Sequence, residues 1–213
     1  MMLEFKNLSK SFGRRRVIES AAGKLSAGTW ALQGPNGSGK STLLALFAGA
    51  LDADSGEIFI DGLSLARAAI GARMKLSYAP DESPVYGFIS GCDLLEFVAK
   101  AKRCTVAGST LEFASELGLM PYMSVRFDDM SLGTQKKFLL CAAWIGDPLV
   151  MLLDEPSNGL DDASRAVVSR KIAARSSNGL TVFVSHDAAF IQACEARVVQ
   201  IEELMKGEAK AHV

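Results

Sequence analysis

Cysteine is scarce in this sequence, and the four cysteines show no C-x-x-C spacing. A disulfide framework and a cysteine-ligated zinc site are therefore not indicated. All four cysteines stand in apolar surroundings, and we expect them to be buried, reduced thiols of a cytosolic protein. They are Cys92, Cys104, Cys141 and Cys194.

Long apolar runs and an excess of basic residues are also missing. No run approaches the roughly 18 residues that a membrane span needs, and FLLCAAWI at 138–145 is among the longest. The N-terminus shows no signal-peptide pattern. A formal net charge of −1 argues against nucleic acid as a partner. The one basic run, Arg14 to Arg16, is typical of an exposed hairpin tip.

A glycine-rich loop dominates what the sequence does contain. Residues 34–42 read GPNGSGKST and fit G-x-x-x-x-G-K-[ST], between a strand-like TWALQ and a helical pattern. Glycines let backbone N–H groups converge on a phosphate, which the helix N-terminus also attracts. A chance glycine-rich turn is the alternative; the flanking elements favour a nucleotide site. The candidate binding residues are Gly34, Pro35, Asn36, Gly37, Ser38, Gly39, Lys40, Ser41 and Thr42.

Two later apolar runs end in polar residues. VMLLDE at 150–155 predicts a buried parallel strand whose acids emerge at its carboxyl end, where open α/β sheets bind ligands. There Asp154, with Ser41, would hold Mg²⁺, and Glu155 would orient the attacking water. LTVFVSHD at 180–187 predicts a second strand, with His186 at its exit. A lone histidine is more often structural, but this location favours function.

The segment MSLGTQKKFLLCAAWIGDP at 130–148 distinguishes between the classes of protein that share such a phosphate-binding loop. Taken alone, Ser131 and Gly133 before a helix-like run would be a helix cap. Here they precede the acidic strand, and SNGLD follows at 157–161. In the order and spacing of these motifs, the chain resembles the ATP-binding-cassette (ABC) ATPase family from about residue 2 to about 201.

The resemblance implies an α/β fold: a P-loop NTPase with a mainly parallel central sheet, an N-terminal antiparallel β-subdomain and an inserted helical subdomain. One ABC ATPase domain would span 1–205, with the helical subdomain at about 82–146 and a polar tail at 206–213 that frays. Within that subdomain we expect Asp93 to cap a helix whose apolar side carries five residues. They are Leu94, Leu95, Phe97, Val98 and Ala101.

The resemblance also implies roles for single residues. Phe12 lies where the family stacks an aromatic ring on adenine; a core phenylalanine is the alternative. Ser131 and Gly133 would contact the γ-phosphate held by a second copy, and Asp161 would link the two sites. His186 would bind the γ-phosphate beside the catalytic Glu155.

The chain departs from the family pattern at two places. In MSLGTQ at 130–135, which resembles the family's signature motif, Leu132 and Thr134 replace the usual glycine and glutamine, while the phosphate-contacting serine and glycine remain. In LSYAPDE at 76–82, Asp81 stands where the family has glutamine. Its carboxylate could ligate Mg²⁺, or it could cap a loop away from the metal. Acidic residues here occur in a subgroup of transporter subunits.

The resemblance predicts an ATP- and Mg²⁺-dependent ATPase that closes as a dimer and powers a separate transmembrane subunit from the inner face of the cell membrane. Val85, Tyr86 and Phe88 lie in the region that receives this partner in the family; packing inside the domain is their alternative. A soluble mechanical ATPase acting on DNA or ribosomes is the second hypothesis. A small-molecule kinase would leave the signature unexplained.

Overall fold

The protein is described here from a computed structural model covering residues 2–82 and 85–205. Its strands form two sheets, a four-stranded antiparallel sheet in the order β2-β1-β4-β5 and a five-stranded parallel sheet in the order β6-β7-β8-β3-β9. The strands are β1 (Leu3–Phe12), β2 (Arg15–Leu25), β3 (Gly28–Gln33), β4 (Ser55–Ile60), β5 (Leu63–Ser64), β6 (Leu76–Ala79), β7 (Val150–Asp154), β8 (Leu180–Val184) and β9 (Arg197–Gln200).

Eight α-helices accompany the sheets within the described residues, together with short 3₁₀ turns at Met120–Tyr122 and Phe127–Asp129. Among these residues, no helix has the length and apolar character to cross a membrane. The helices are α1 (Lys40–Ala48), α2 (Ala69–Met74), α3 (Gly91–Ala101), α4 (Gly108–Glu116), α5 (Leu132–Ala143), α6 (Asp162–Ala173), α7 (Ala188–Ala193) and α8 (Ile201–Met205).

The parallel sheet separates two apolar cores, because alternate side chains of its buried strands point to opposite faces. In β7, Met151 and Leu153 pack into one core with α4 and α5, whereas Val150 and Leu152 pack into the other with α1 and the antiparallel sheet. Burial on both faces explains why VMLLD is a continuous apolar run.

Because the central strands are parallel, their carboxyl ends meet at one edge of the sheet. The registers pair Ala79 with Leu153, and Asp154 with Val184. This edge therefore gathers the loops that follow β3, β6, β7 and β8, which carry the glycine-rich loop, Asp81, Glu155 and His186. The predicted fold class, a mainly parallel sheet with an antiparallel β-unit and helices, is confirmed.

The start of α3 differs from the prediction. Ser90, not Asp93, is the N-cap, and it accepts from the Asp93 N–H while the Asp93 carboxylate accepts from the Ser90 N–H. Asp93 therefore occupies the third position of a capping box. Of the predicted apolar side, Leu94, Phe97, Val98 and Ala101 line one groove, although Phe97 is 68% exposed and Ala101 is exposed.

The expectation of four buried cysteines is wrong for two of them. Cys141 and Cys194 are buried, and burial raises the pKa of each thiol to about 12. Cys104 is exposed at the end of α3, and Cys92 is half-buried. The predicted tail at 206–213, which includes His212, lies outside the described residues. Arg14, Arg15 and Arg16 do lie exposed at the β1–β2 hairpin tip.

Candidate functional site: a phosphate-binding edge of the parallel sheet

The glycine-rich loop leaves β3 and turns directly into α1. Gly39 is the N-cap of α1 at φ 98°, and no side chain caps this helix. A Cβ added to Gly39 would lie 2.8 Å from Val17 Cγ1, so a side chain would collide as well as strain the backbone. The first N–H groups of α1 have no intrahelical partners, and they face the loop as donors for an anion.

Lys40 lies inside this loop. Lys40 as a whole is 7% exposed, and its ammonium donates to the carbonyl oxygens of Gly34 and Pro35, both at 2.9 Å. The Ser38 Oγ is buried and lacks a hydrogen-bond partner among the described residues. A buried hydroxyl without a partner is costly unless a ligand satisfies it. The loop is thus a concave set of donors, with a cation, that suits a polyphosphate.

A hydroxyl and a carboxylate meet at the predicted metal position. Ser41 Oγ donates to Asp154 Oδ1 at 3.1 Å, and Asp154 is 4% exposed. Burial raises the pKa of Asp154, against the opposing effect of the Ser41 hydrogen bond. Mg²⁺ in nucleotide sites is held by one or two carboxylates together with substrate phosphates. This pair of oxygen ligands beside the phosphate loop fits that requirement.

Glu155 follows directly, in a strained conformation. Its φ is 46°, in the left-handed region that non-glycine residues seldom adopt. Its N–H donates to the carbonyl of Val184 at 3.1 Å, and His186 Nε2 lies 3.5 Å from Glu155 Oε1. Burial raises the pKa of Glu155. The carboxylate and imidazole are therefore adjacent, as the orientation of a water would require.

One cavity of about 660 Å³ joins these groups. The cavity is also lined by Arg15, Val17, Asn158 and Val184, which the sequence analysis did not assign to the site. Gly34, Pro35 and Ser38 of the same loop are not part of the cavity wall, and neither is Asp154, which accepts from Ser41. The predicted residues that line it are Phe12, Asn36, Gly37, Gly39, Lys40, Ser41, Thr42, Asp81, Glu155 and His186.

Phe12 stands at the mouth of this cavity. It is the last residue of β1 and is 51% exposed, so it is not a core phenylalanine. The Lys10 ammonium lies 5.6 Å from its ring centroid. The ring is available for stacking, and its contact with adenine stays a prediction.

Ser131, Gly133 and Asp161 are not part of the cavity wall and cluster elsewhere. The exposed Ser131 caps α5, with its Oγ accepting from the Thr134 N–H at 3.2 Å. Asp161 caps α6 and accepts from the Lys137 ammonium at 2.6 Å. A Cβ on Gly133 would lie 2.6 Å from the Gly159 carbonyl, so the two loops touch here. The site predicted for these residues needs a second copy.

Lys136 is the functional candidate that sequence reasoning missed. Its side chain is 6% exposed, and its ammonium lies 3.2 Å from Asp81 Oδ1 and 2.8 Å from the Asp154 carbonyl oxygen. The sequence did contain a signal for the burial of Lys136. This residue lies three and four positions before the buried Leu139 and Leu140, and so shares their face of the helix. Asp81 faces the cavity from this ion pair; its role as a metal ligand stays a prediction.

Comparisons with known proteins agree with this geometry. The sequence matches the family described as "ABC transporter" over residues 18–158. A linearmycin resistance ATP-binding protein of Bacillus subtilis is 28% identical over 191 residues, which cover 87% of this chain and 61% of that protein. A lantibiotic transport ATP-binding protein of Streptococcus pyogenes is 30% identical over 186 residues, covering 86% and 79%.

Solved structures show a likeness of fold. An ATP-binding subunit of an ABC transporter superposes with a TM-score of 0.83 at 24% identity, covering 94% of this chain and 85% of that one. The dimeric post-hydrolysis state of the ATP-binding cassette MJ0796, bound to ADP and phosphate, has a TM-score of 0.78 at 19% identity, covering 93% and 94%.

Proposed function

The chain belongs to the ABC transporter family, and from that membership we propose that it is a nucleotide-binding subunit that hydrolyses ATP to drive a membrane transporter. The family match confirms the resemblance drawn from the motifs. One observation carries the proposal: a single cavity is lined by the phosphate loop with Ser41 and by the Glu155–His186 pair, and Asp154 accepts the hydrogen bond of Ser41 from outside the cavity wall.

The residues divide the chemistry of hydrolysis among them. On ATP binding, the Lys40 ammonium exchanges its two loop carbonyls for β- and γ-phosphate oxygens, and the N–H groups of α1 bind the same phosphates. Ser41 and Asp154 would hold Mg²⁺, which neutralises charge on the phosphates. Glu155 accepts a hydrogen bond from the attacking water, and His186 orients the Glu155 carboxylate and the γ-phosphate.

The transporter role is supported by an apolar groove on another face. A cavity of about 890 Å³ lies among α2, α3 and the β6 strand. Ile70, Tyr86 and Phe97 at this groove are 72%, 73% and 68% exposed, and the Tyr86 and Phe88 rings stack at 5.6 Å. Val85, by contrast, packs partly buried against the core. Exposed apolar surface of this extent marks a protein-binding face.

We extend the proposal to a transmembrane partner at this groove, and hence to a location at the inner face of the membrane, because relatives of the chain are named as transport ATP-binding proteins. The groove borders Pro80 at the end of β6, so a partner seated there lies next to Asp81 and the cavity. The linearmycin relative is longer than the matched region, since the chain spans about three fifths of it.

The first prediction tests the chemistry directly. Lys40→Ala removes the cation that binds the phosphates, so ATP binding should be lost. Glu155→Gln should retain ATP binding but lower kcat by at least about 100-fold, because the general base or water-orienting carboxylate is gone. Steady-state phosphate release and nucleotide binding measure both. Glu116→Gln, on the remote α4, is the matched control, and wild-type hydrolysis by Glu155→Gln would contradict the assignment.

A further inference from the structure

A buried ammonium connects the signature helix α5 to the ends of two neighbouring strands of the parallel sheet, β6 and β7. Lys136 Nζ donates to the carbonyl oxygens of Pro80, Asp81 and Asp154, at 3.1, 3.3 and 2.8 Å, and it lies 3.2 Å from Asp81 Oδ1. Pro80 and Asp81 follow β6, and Asp154 ends β7. One side chain therefore joins neighbouring strand ends at the edge where the nucleotide site lies.

Such an ammonium is stable only while its acceptors stay in place. Its burial lowers the pKa of Lys136, and the Asp81 carboxylate opposes that shift. A buried charge that loses its partners is costly, so the acceptors and the donor hold one another. Lys136 consequently restrains three peptide groups, and Asp81 supplies the counter-charge.

The most consequential of these peptide groups joins Asp154 to Glu155. Its oxygen accepts from Lys136, while its N–H, that of Glu155, donates to the Val184 carbonyl at 3.1 Å. Glu155 is the residue with φ 46°, and strained backbone persists only where its surroundings over-determine it. The direction in which the Glu155 carboxylate leaves the backbone depends on this peptide plane.

We propose that Lys136 is a positioning residue for ATP hydrolysis: it fixes the Asp154–Glu155 peptide and thereby aims the Glu155 carboxylate at the attacking water. The inference rests on the proposed function, and it assigns Lys136 no contact with ATP. Asp81 is its charge partner from the neighbouring strand end. The signature helix and the water-orienting carboxylate are thus mechanically connected within one chain.

The test compares two lysines whose ammonium groups donate to backbone carbonyls. In Lys136→Met the donor to the Asp154 carbonyl is lost, and kcat should fall about 100-fold, as for a small misplacement of a reacting group, while ATP affinity measured in EDTA stays at the wild-type value. Lys102→Met is the matched control. Lys102 is half-buried and donates to the carbonyls of Arg73, Met74 and Leu76, away from the nucleotide cavity. It should lower the melting temperature and leave kcat unchanged.

A readout without nucleotide or metal separates positioning from general destabilisation. Hydrogen exchange of the Glu155 amide should be faster in Lys136→Met than in Lys102→Met at equal melting temperature. If Lys136→Met does not fold, Lys136→Gln, which retains one donor without the charge, serves for the same exchange measurement and should give an intermediate kcat. Wild-type exchange at Glu155 in the Lys136 variant would overturn the proposal.

The double variant Lys136→Met/Asp81→Asn tests whether Lys136 acts only by neutralising the charge of Asp81. If Lys136 only offsets the charge of Asp81, removing both charges restores kcat, and the positioning role is wrong; we expect kcat to stay low.

Failure of the inference can be distinguished from failure of the proposed function. Wild-type kcat in Lys136→Met with an inactive Glu155→Gln sinks only the inference, whereas a wild-type protein that releases no phosphate from ATP sinks the function.

Discussion

At the scale of single residues, environment gives the acidic side chains different properties. Asp154 and Glu155 follow one another, and burial raises the pKa of both. Asp161 lies only six residues beyond Glu155, yet the hydrogen bond from Lys137, followed by that from the Ser164 N–H, lowers its pKa. The carboxylates of Asp154 and Glu155 are held in a poorly solvated site, whereas Asp161 is fixed as an anion at the start of α6.

The pH dependence of stability should reveal the Asp161 contacts. Its folded pKa lies below the unfolded value of about 3.9, so its carboxylate stabilises the fold above that value, and the contribution is lost as pH falls through the folded pKa. Asp161→Asn retains the helix cap but not the charge. Since the side chain is 57% exposed, we expect a loss of about 0.5 kcal/mol at pH 7.

This loss should shrink as the pH is lowered below the unfolded pKa, because wild type then loses the same interaction. Urea unfolding at several pH values measures it. Asp162→Asn is the control, since Asp162 is fully exposed and lies 4.0 Å from Arg165. A stability difference between wild type and Asp161→Asn that is the same at every pH would exclude the charge as its cause.

At the scale of elements, α3 presents a face that the core does not cover. Leu94 and Leu95 pack inward, whereas Phe97 points into the apolar groove with Val98 and Ala101. A capping box at Ser90 fixes where α3 begins, and hence which residues face outward. The groove therefore depends on where α3 begins and how it is oriented, as well as on its apolar residues.

The groove can be tested for its partner. Phe97→Ser removes exposed apolar surface without opening the core, so ATP binding should be retained while recovery of a transmembrane protein from detergent-solubilised membranes falls at least several-fold. Leu111→Ser, a change of an exposed leucine on α4, is the control. Equal recovery with both variants would contradict docking at this groove. Recovery of ribosomes or DNA instead would favour the mechanical-ATPase hypothesis.

At the scale of the whole molecule, the proposed site is divided between two surfaces. The phosphate loop opens into the cavity, while Ser131 is exposed at the start of α5, and Leu132 beside it is 82% exposed. The N-terminus of α5, which Ser131 caps, is a suitable anion site. Because Ser131 does not line the chain's own cavity, we favour the predicted arrangement, in which a second copy brings ATP to Ser131.

Dimer formation tests this arrangement. In a Glu155→Gln background, ATP should produce a dimer on gel filtration, and adding Ser131→Arg should abolish it while leaving nucleotide binding by the monomer intact. Ser177→Arg is the control, since the exposed Ser177 precedes β8 at the opposite edge of the sheet. Normal ATP-dependent dimers of the Ser131 variant would refute the sandwich.

Mixing variants provides the complementary result. Ser131→Arg retains its phosphate loop, and Lys40→Ala retains its Ser131, so a mixed dimer contains one intact composite site. We expect phosphate release in the mixture although neither protein alone is active. An inactive mixture, with heterodimers present, would contradict the sharing of sites.

Much of the fold and of the cavity could be predicted because local sequence dictates them. The glycine-rich loop, the buried runs at 150–154 and 180–184, and the rule that parallel strands end at one edge together place Lys40, Asp154, Glu155 and His186 near one another. Cap chemistry was predicted less well: Asp93 and Ser90 are both good caps, and only the path of the chain selected Ser90.

The sequence by itself determined the family, the parallel sheet and the phosphate loop, since periodicity and glycine spacing act over short distances. Tertiary structure alone decided that Lys136 is buried against Asp81 and Asp154, that Phe97 faces outward, and that Cys104 is exposed. These outcomes depend on which side of a helix meets the sheet, and neighbours distant in sequence set that side. Lys136 and Asp81 are 55 residues apart, and only the packing of α5 against the end of β6 brings their charges together.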